Sequence, residues 1–326
     1  MLSLKENFIR ALSGEMPEYV PTYNVFWRIR PAILNGDRKA ELGGSGRDMF
    51  GVEWTNEGSA MEAALPKPGD FILEDIRDWR DVIRFPDFSY VDWDAVSRAD
   101  LKNQDPEVPL GLGMVPLGFF QGLMSFMGFT EGLVACYEEP EEVKELMNFL
   151  CDGFLSVADK CLQHYKPDYI YFADDIAHER NPFVSLDMFR EIFAPVWRRF
   201  IKFFIDRGCL TVHHNCGHFE EFLDDVVDMG FNCWEPAQPS NDLIGIKKKY
   251  GNKFMIAGGF DPRAFLSHMD ATEEQCRAAV KKLLDELAPG GGYAFSGGLI
   301  GEDPVSKQRT EWILDEYNKL KTTYYS

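Results

Sequence analysis

The sequence predicts an α/β fold, a single (β/α)8 TIM barrel with an N-terminal helical extension. Three observations carry that prediction. From about residue 100 onward, short apolar runs alternate with longer amphipathic segments six times in a row, the pattern of a parallel sheet with helical crossovers. No apolar run leads into a GxGxxG or GxxxxGK[ST] loop, which weakens the rival doubly wound sheet. The length of 326 residues suits one such barrel with a large core, so one domain over 1–326 is expected.

Each element follows from its local pattern. Within 1–19, Leu4, Phe8, Ile9 and Leu12 fall at helical spacing, giving the N-terminal helix. VPTYNVF (20–26) and DMFGVEW (48–54) are the expected first and second strands. Residues 66–108 are Pro- and Asp-rich and read as an irregular excursion before the third strand. VPLGLGMVP (108–116) is that strand, followed by a Gly/Phe/Met-rich stretch and a helix over 140–165. DYIYFADD (168–175) precedes a helix over 185–208, and CLTVHHNCG (209–217) one over 218–230. FNCWEPA (231–237) precedes a helix over 241–251. KFMIAGGF (253–260) leads through a DPRAF turn to a helix over 272–289, and GGYAFSGG (291–298) to the last helix, 304–320. Asp261 before Pro262 reads as a helix cap with proline at the first helical position.

Charge and cysteine usage narrow the function classes. Thirty-four basic residues against 53 acidic give a net charge of −19. That opposes nucleic acid and anionic membrane surfaces as partners, because both need a basic face. The N-terminus lacks the apolar core of a signal peptide, and no run approaches the ~18 apolar residues of a membrane span. Seven cysteines, an odd number scattered through apolar patterns, fit reduced thiols in a cytoplasmic protein.

In a barrel of this class the chemistry sits where strands end. His214 and Cys216 end one strand two residues apart, so they share a face. An imidazole and a thiolate so placed suit a borderline cation such as zinc. Glu235 closes the next strand, ~4.8 Å away and within reach of the same ion. Asp174 and Asp175 point to opposite faces of their strand end. One would face the mouth as a general acid or substrate ligand; otherwise one caps the following helix and the other pairs with Arg180 or Arg190. His178 is a further proton donor or a solvated loop residue. Phe119, Phe120 and Phe126 either wall an apolar pocket for a flat ring or pack a helix on the barrel.

DYIYFADDIAHERNPFVSLDMFREIFAPVWRRFIKFF, VHHNCGHFEEFLDDVVDMGFNCWEPAQPSNDL and KFMIAGGFDPRAF together resemble the uroporphyrinogen decarboxylase superfamily, most strongly from about residue 100. The resemblance implies a (β/α)8 barrel and one of two activities, tetrapyrrole decarboxylation or corrinoid-dependent methyl transfer. The decarboxylases hold substrate carboxylates with an RQAGR signature. Here the region reads VPTYNVFWRIRPAIL, with Arg28 and Arg30 but not the signature. The methyltransferase branch binds zinc through HxC and a later Cys, and His214 and Cys216 match the first two. A Glu from the following strand is a ligand in the distantly similar methionine synthases, and Glu235 holds a comparable place. Ser296 stands where the later Cys is expected. Cys233, Asp174, Asp175 or the substrate would then complete the site, or it binds no zinc. The resemblance thus implies methyl transfer between a small substrate and a corrinoid on a separate partner protein; if Phe119, Phe120 and Phe126 line the site, an aromatic methyl ether is a candidate donor. In that reading zinc is held by His214, Cys216 and Glu235. Asp174, Asp175 and His178 serve the chemistry, and Phe119, Phe120, Phe126, Arg28 and Ser296 contact substrate. It also implies a homodimer. The alternatives are uroporphyrinogen decarboxylation and a metal-binding barrel without catalysis.

Overall fold

The computed structural model describes residues 1–24, 27–38, 44–56, 64–115, 118–260, 271–298 and 303–325. The expected cap at Asp261 and Pro262 lies outside the described residues. The strands in chain order are β1 (Trp27–Ile29), β2 (Gly46–Arg47), β3 (Glu53–Thr55), β4 (Leu65–Pro66), β5 (Leu110–Gly113), β6 (Tyr169–Ala173), β7 (Leu210–His214), β8 (Cys233–Ala237), β9 (Met255–Gly259) and β10 (Tyr293–Ser296). Seven form one parallel sheet in the order β1-β5-β6-β7-β8-β9-β10. Its two edges are drawn together by the segment before β1. There Phe295 N donates to Pro21 O at 2.8 Å and Tyr23 N to Phe295 O at 2.6 Å. The sheet is therefore curled.

Two expected strands differ from their sequence reading. The first begins at Trp27, and what precedes it meets β10 through the Thr22–Phe295 bridge. DMFGVEW does not join the parallel sheet as its second strand. Glu53–Thr55 instead pairs antiparallel with β2 and β4 in a separate three-stranded sheet. Local turn chemistry decides this. Asp48 accepts from Phe50 N at 2.9 Å and Val52 N at 3.0 Å, and Gly51 adopts φ +96°. Both fold the stretch into a hairpin rather than a crossover strand. The other six strands and their helices stand where the sequence places them, the helices Pro140–Tyr165 and Pro304–Leu320 residue for residue.

Side chains alternate across the curled sheet. Tyr169, Tyr171 and Ala173 face inward with Val212, Cys233, Met255, Ala257 and Ala294, and the helix Leu4–Leu12 packs Phe8, Ala11 and Leu12 against them. Ile170 and Phe172 face outward into the larger core beneath the helices. The helix Pro140–Tyr165 buries Val143, Met147, Leu150, Phe154, Val157 and Cys161 at spacings of three and four. Among the described residues no helix is long and apolar enough to cross a membrane.

Candidate metal centre

The parallel register aligns the site. Ala173, His214 and Glu235 are partners in adjacent strands, so β6, β7 and β8 end at one level. His214 faces inward, as its alternation with Val212 requires. Its neighbour His213 faces outward among Phe172, Trp197, Phe219 and Phe231. Burial pulls His213 down to about 3, with His214 adding to it, so its imidazole is neutral. For His214 burial also disfavours the charged ring, but the Glu235 and Asp175 carboxylates outweigh it and hold the ring well above the ordinary histidine range. The two adjacent histidines thus shift in opposite directions because only His214 has carboxylates in direct contact.

Three donor atoms converge on one point at the mouth. Ligand atoms of Asp175, His214 and Cys216 all lie within 4.8 Å of one another. Cys216 Sγ is 3.7 Å from His214 Nε2, and Asp175 Oδ1 is 3.7 Å from the same nitrogen. A tetrahedral ion with bonds of ~2.0–2.3 Å separates its ligands by roughly 3.3–3.6 Å. The spacing and the nitrogen, sulfur and oxygen donor set therefore fit zinc with one position left open. Two hydrogen bonds hold Asp175 in place. Its Oδ1 accepts from Cys216 N at 2.7 Å and its Oδ2 from Gln121 Nε2 at 3.3 Å. Gly217 lets the chain leave Cys216 steeply. It has φ +91°, and a Cβ there would fall 2.4 Å from His178 O.

Glu235 stands on the other side of the imidazole. Its Oε1 lies 2.8 Å from His214 Nδ1, and Arg28 Nη1 donates to it at 3.0 Å. Arg28 also hydrogen-bonds the Tyr171 hydroxyl and lies over the Tyr171 ring, 4.6 Å from its centroid. Burial alone would raise the Glu235 carboxyl, but His214 and Arg28 hold it below the ordinary range. The carboxylate faces Nδ1, not the point where Nε2, Sγ and Asp175 converge. Such a partner fixes the ring and its tautomer. Arg28, expected to meet substrate, has its charge matched here by Glu235.

Asp174 and Asp175 separate as their opposite faces require. Asp174 turns outward, is fully buried and accepts four N–H groups. Phe119 N, Phe120 N and Gln121 N lie at 2.8, 3.0 and 3.0 Å, and Trp197 Nε1 at 2.9 Å. It anchors the start of the helix Phe120–Met127, which precedes it in sequence. Burial pushes its carboxyl up to about 7 against those four donors. Gly118 leaves room for it, since a Cβ there would fall 2.2 Å from Asp174 Cγ. Arg190 pairs instead with Asp225 at 3.0 Å. His178 is exposed and its ring packs near Phe183.

The three phenylalanines lie in the core. Phe119 packs on Phe172 and Phe200, Phe120 on Phe183 and Phe193, and Phe126 on Phe50. Ser296 ends β10 opposite Gly259. Cys233 points inward, and burial raises its thiol well above the usual range. Sequence reasoning left out Tyr171 and Gln121. The inward period of Tyr169, Tyr171 and Ala173 marks Tyr171, whereas no local signal marks Gln121.

The family described as uroporphyrinogen decarboxylase (URO-D) matches residues 70–299. The curated "Methylcobamide:CoM methyltransferase MtaA" of Methanosarcina barkeri is 25% identical over 192 residues, 58% of this chain and 54% of that protein. The chain thus spans about half the length of that relative. A solved "methyltransferase from Methanosarcina mazei" superposes with a TM-score of 0.64 at 15% identity, covering 98% of this chain and 99% of the other; at that identity it speaks for the fold.

Proposed function

The chain belongs to the uroporphyrinogen decarboxylase family, and on that premise we propose that it is a zinc-assisted methyltransferase acting between a small substrate and a separate corrinoid protein. The observation that carries the reading is the convergence of Asp175, His214 and Cys216 at the strand ends. The methyltransferase relative named above supports it. Bound there, zinc would supply a Lewis acid for the oxygen or sulfur that carries or receives the methyl group. Cys216, His214 and Asp175 would hold it and leave one position for that atom. Glu235 and Arg28 orient the imidazole, and Gln121 keeps Asp175 in place. With Phe119, Phe120 and Phe126 buried, no aromatic wall from that loop favours a methoxyarene over other small methyl compounds.

The test is methyl transfer itself. The zinc-loaded protein is incubated with a reduced corrinoid protein and a panel of methyl thioethers and methyl ethers, and the visible spectrum reports methylation of the cobalt. Transfer that needs the intact chain is expected. No transfer from any donor, together with carboxyl loss from uroporphyrinogen, would replace this reading by decarboxylation. A second expectation separates Glu235 from the ligand set. Glu235→Gln should still bind one zinc per chain, about 10- to 100-fold more weakly, as measured by competition with a chromophoric chelator. Complete loss of stoichiometric zinc would make Glu235 a ligand instead.

A further inference from the structure

Tyr171 carries a hydroxyl where a phenylalanine would fill nearly the same space. It points inward from β6 and pairs in register with Val212, while Ala173 pairs with His214. Tyr171 therefore lies one inward layer below the metal centre. Its inward neighbours include Val212, Cys233 and Ala257, and only 4% of it is exposed. A hydroxyl buried among such groups is unfavourable unless a hydrogen bond offsets its desolvation. Here it accepts from Arg28 Nη1. The same nitrogen donates to Glu235 Oε1 at 3.0 Å, and that oxygen lies 2.8 Å from His214 Nδ1. Phenol, guanidinium, carboxylate and imidazole form one chain that ends at the metal centre.

Tyr171 holds the arginine twice. Besides the hydroxyl contact, the guanidinium carbon lies 4.6 Å from the centroid of the Tyr171 ring, within the range of a cation–π contact. An arginine has several rotatable bonds and loses rotamer freedom when it is fixed. Glu235 grips the head of the guanidinium, whereas the phenol and its ring set the plane and position from which that head reaches the carboxylate. The Tyr171 ring also stands 5.8 Å from the His214 ring, tilted by 51°. That contact carries no directional bond, so the directed link from phenol to imidazole runs through Arg28 and Glu235. We propose that Tyr171 is a positioning residue of the metal centre: by fixing Arg28 it aims Glu235 at Nδ1 of His214 and so presents Nε2 to the ion. Tyr171 is not one of the converging donors Asp175, His214 and Cys216, and it acts on the ion only through His214. The role rests on the zinc reading of that centre.

The test measures zinc affinity of the full chain by competition with a chromophoric chelator, beside the Tm of the metal-free protein. Tyr171→Phe keeps the ring and removes the hydroxyl. It should still bind one zinc per chain, about 3- to 10-fold more weakly than wild type, with a metal-free Tm within about 3 °C of wild type. Tyr171→Leu loses the ring as well and should bind zinc more weakly still. The double variant separates positioning from packing. Added to Glu235→Gln, Tyr171→Phe should change zinc affinity by less than about 2-fold, because the chain through which it acts is already cut. Wild-type zinc affinity in Tyr171→Phe, a full additional loss in the double variant, or failure of Tyr171→Phe to fold would each overturn the role. A wild-type protein that binds no zinc would remove the metal reading and this role together, whereas zinc bound equally well by wild type and Tyr171→Phe would remove the role alone.

Discussion

Purified Cys216→Ser should carry less than about a tenth of the zinc of the wild-type protein, and His214→Ala should do the same. Serine offers a neutral hydroxyl where a thiolate is needed, and alanine offers nothing. Methyl transfer should fall roughly a thousandfold or more in both, because several kcal/mol of electrophilic assistance disappears. The fold should not change. Cys216 is partly exposed and lies beyond the end of β7, so the stability of Cys216→Ser in urea should stay within about 0.5 kcal/mol of wild type. His214→Ala removes an inward ring and leaves Glu235 with Arg28 and Tyr171, which adds a modest stability loss. Metal analysis, a transfer assay and urea unfolding on the same preparations check all three statements. Full activity in either variant would remove this site from the chemistry.

The second large effect concerns stability. Asp174→Ala should lower the unfolding free energy by about 3–5 kcal/mol. Four buried N–H groups, from Phe119, Phe120, Gln121 and Trp197, lose their acceptor at once. Each buried donor left without a partner costs ~1–3 kcal/mol, partly relieved by relaxation. Gly118→Ala should act in the same direction, since its new methyl would collide with that carboxylate. Below the midpoint, folded Asp174→Ala should keep close to wild-type zinc content, because the aspartate that faces the metal position is Asp175. Urea unfolding with parallel metal analysis decides the point. A stable but inactive Asp174→Ala would instead make this carboxylate a participant in the chemistry.

Much of the layout is legible from local patterns. Six of the seven strands in the parallel sheet follow from short apolar runs. The shared face of His214 and Cys216 follows from a period of two, as does the split between Asp174 and Asp175. What escapes is set by distant partners. Whether a carboxylate at a strand end faces the convergence of Nε2 and Sγ, as Asp175 does, or the Nδ1 side of the imidazole, as Glu235 does, depends on ring orientation. Arg28 looks free in sequence but finds Glu235, 207 positions away. The buried place of Phe119, Phe120 and Phe126 depends on helices that close over them. DMFGVEW has strand composition, yet the Asp48 and Gly51 turn decides its pairing.

Everything proposed for the chemistry depends on Asp175, His214 and Cys216 holding one ion between them. X-ray absorption at the zinc edge of the zinc-loaded wild-type protein tests this most directly. The expected shell has one sulfur at about 2.3 Å and the remaining ligands as nitrogen or oxygen at about 2.0–2.1 Å, with the sulfur lost in Cys216→Ser. A shell without sulfur, a shell with two sulfurs, or no bound zinc under saturating metal would contradict it.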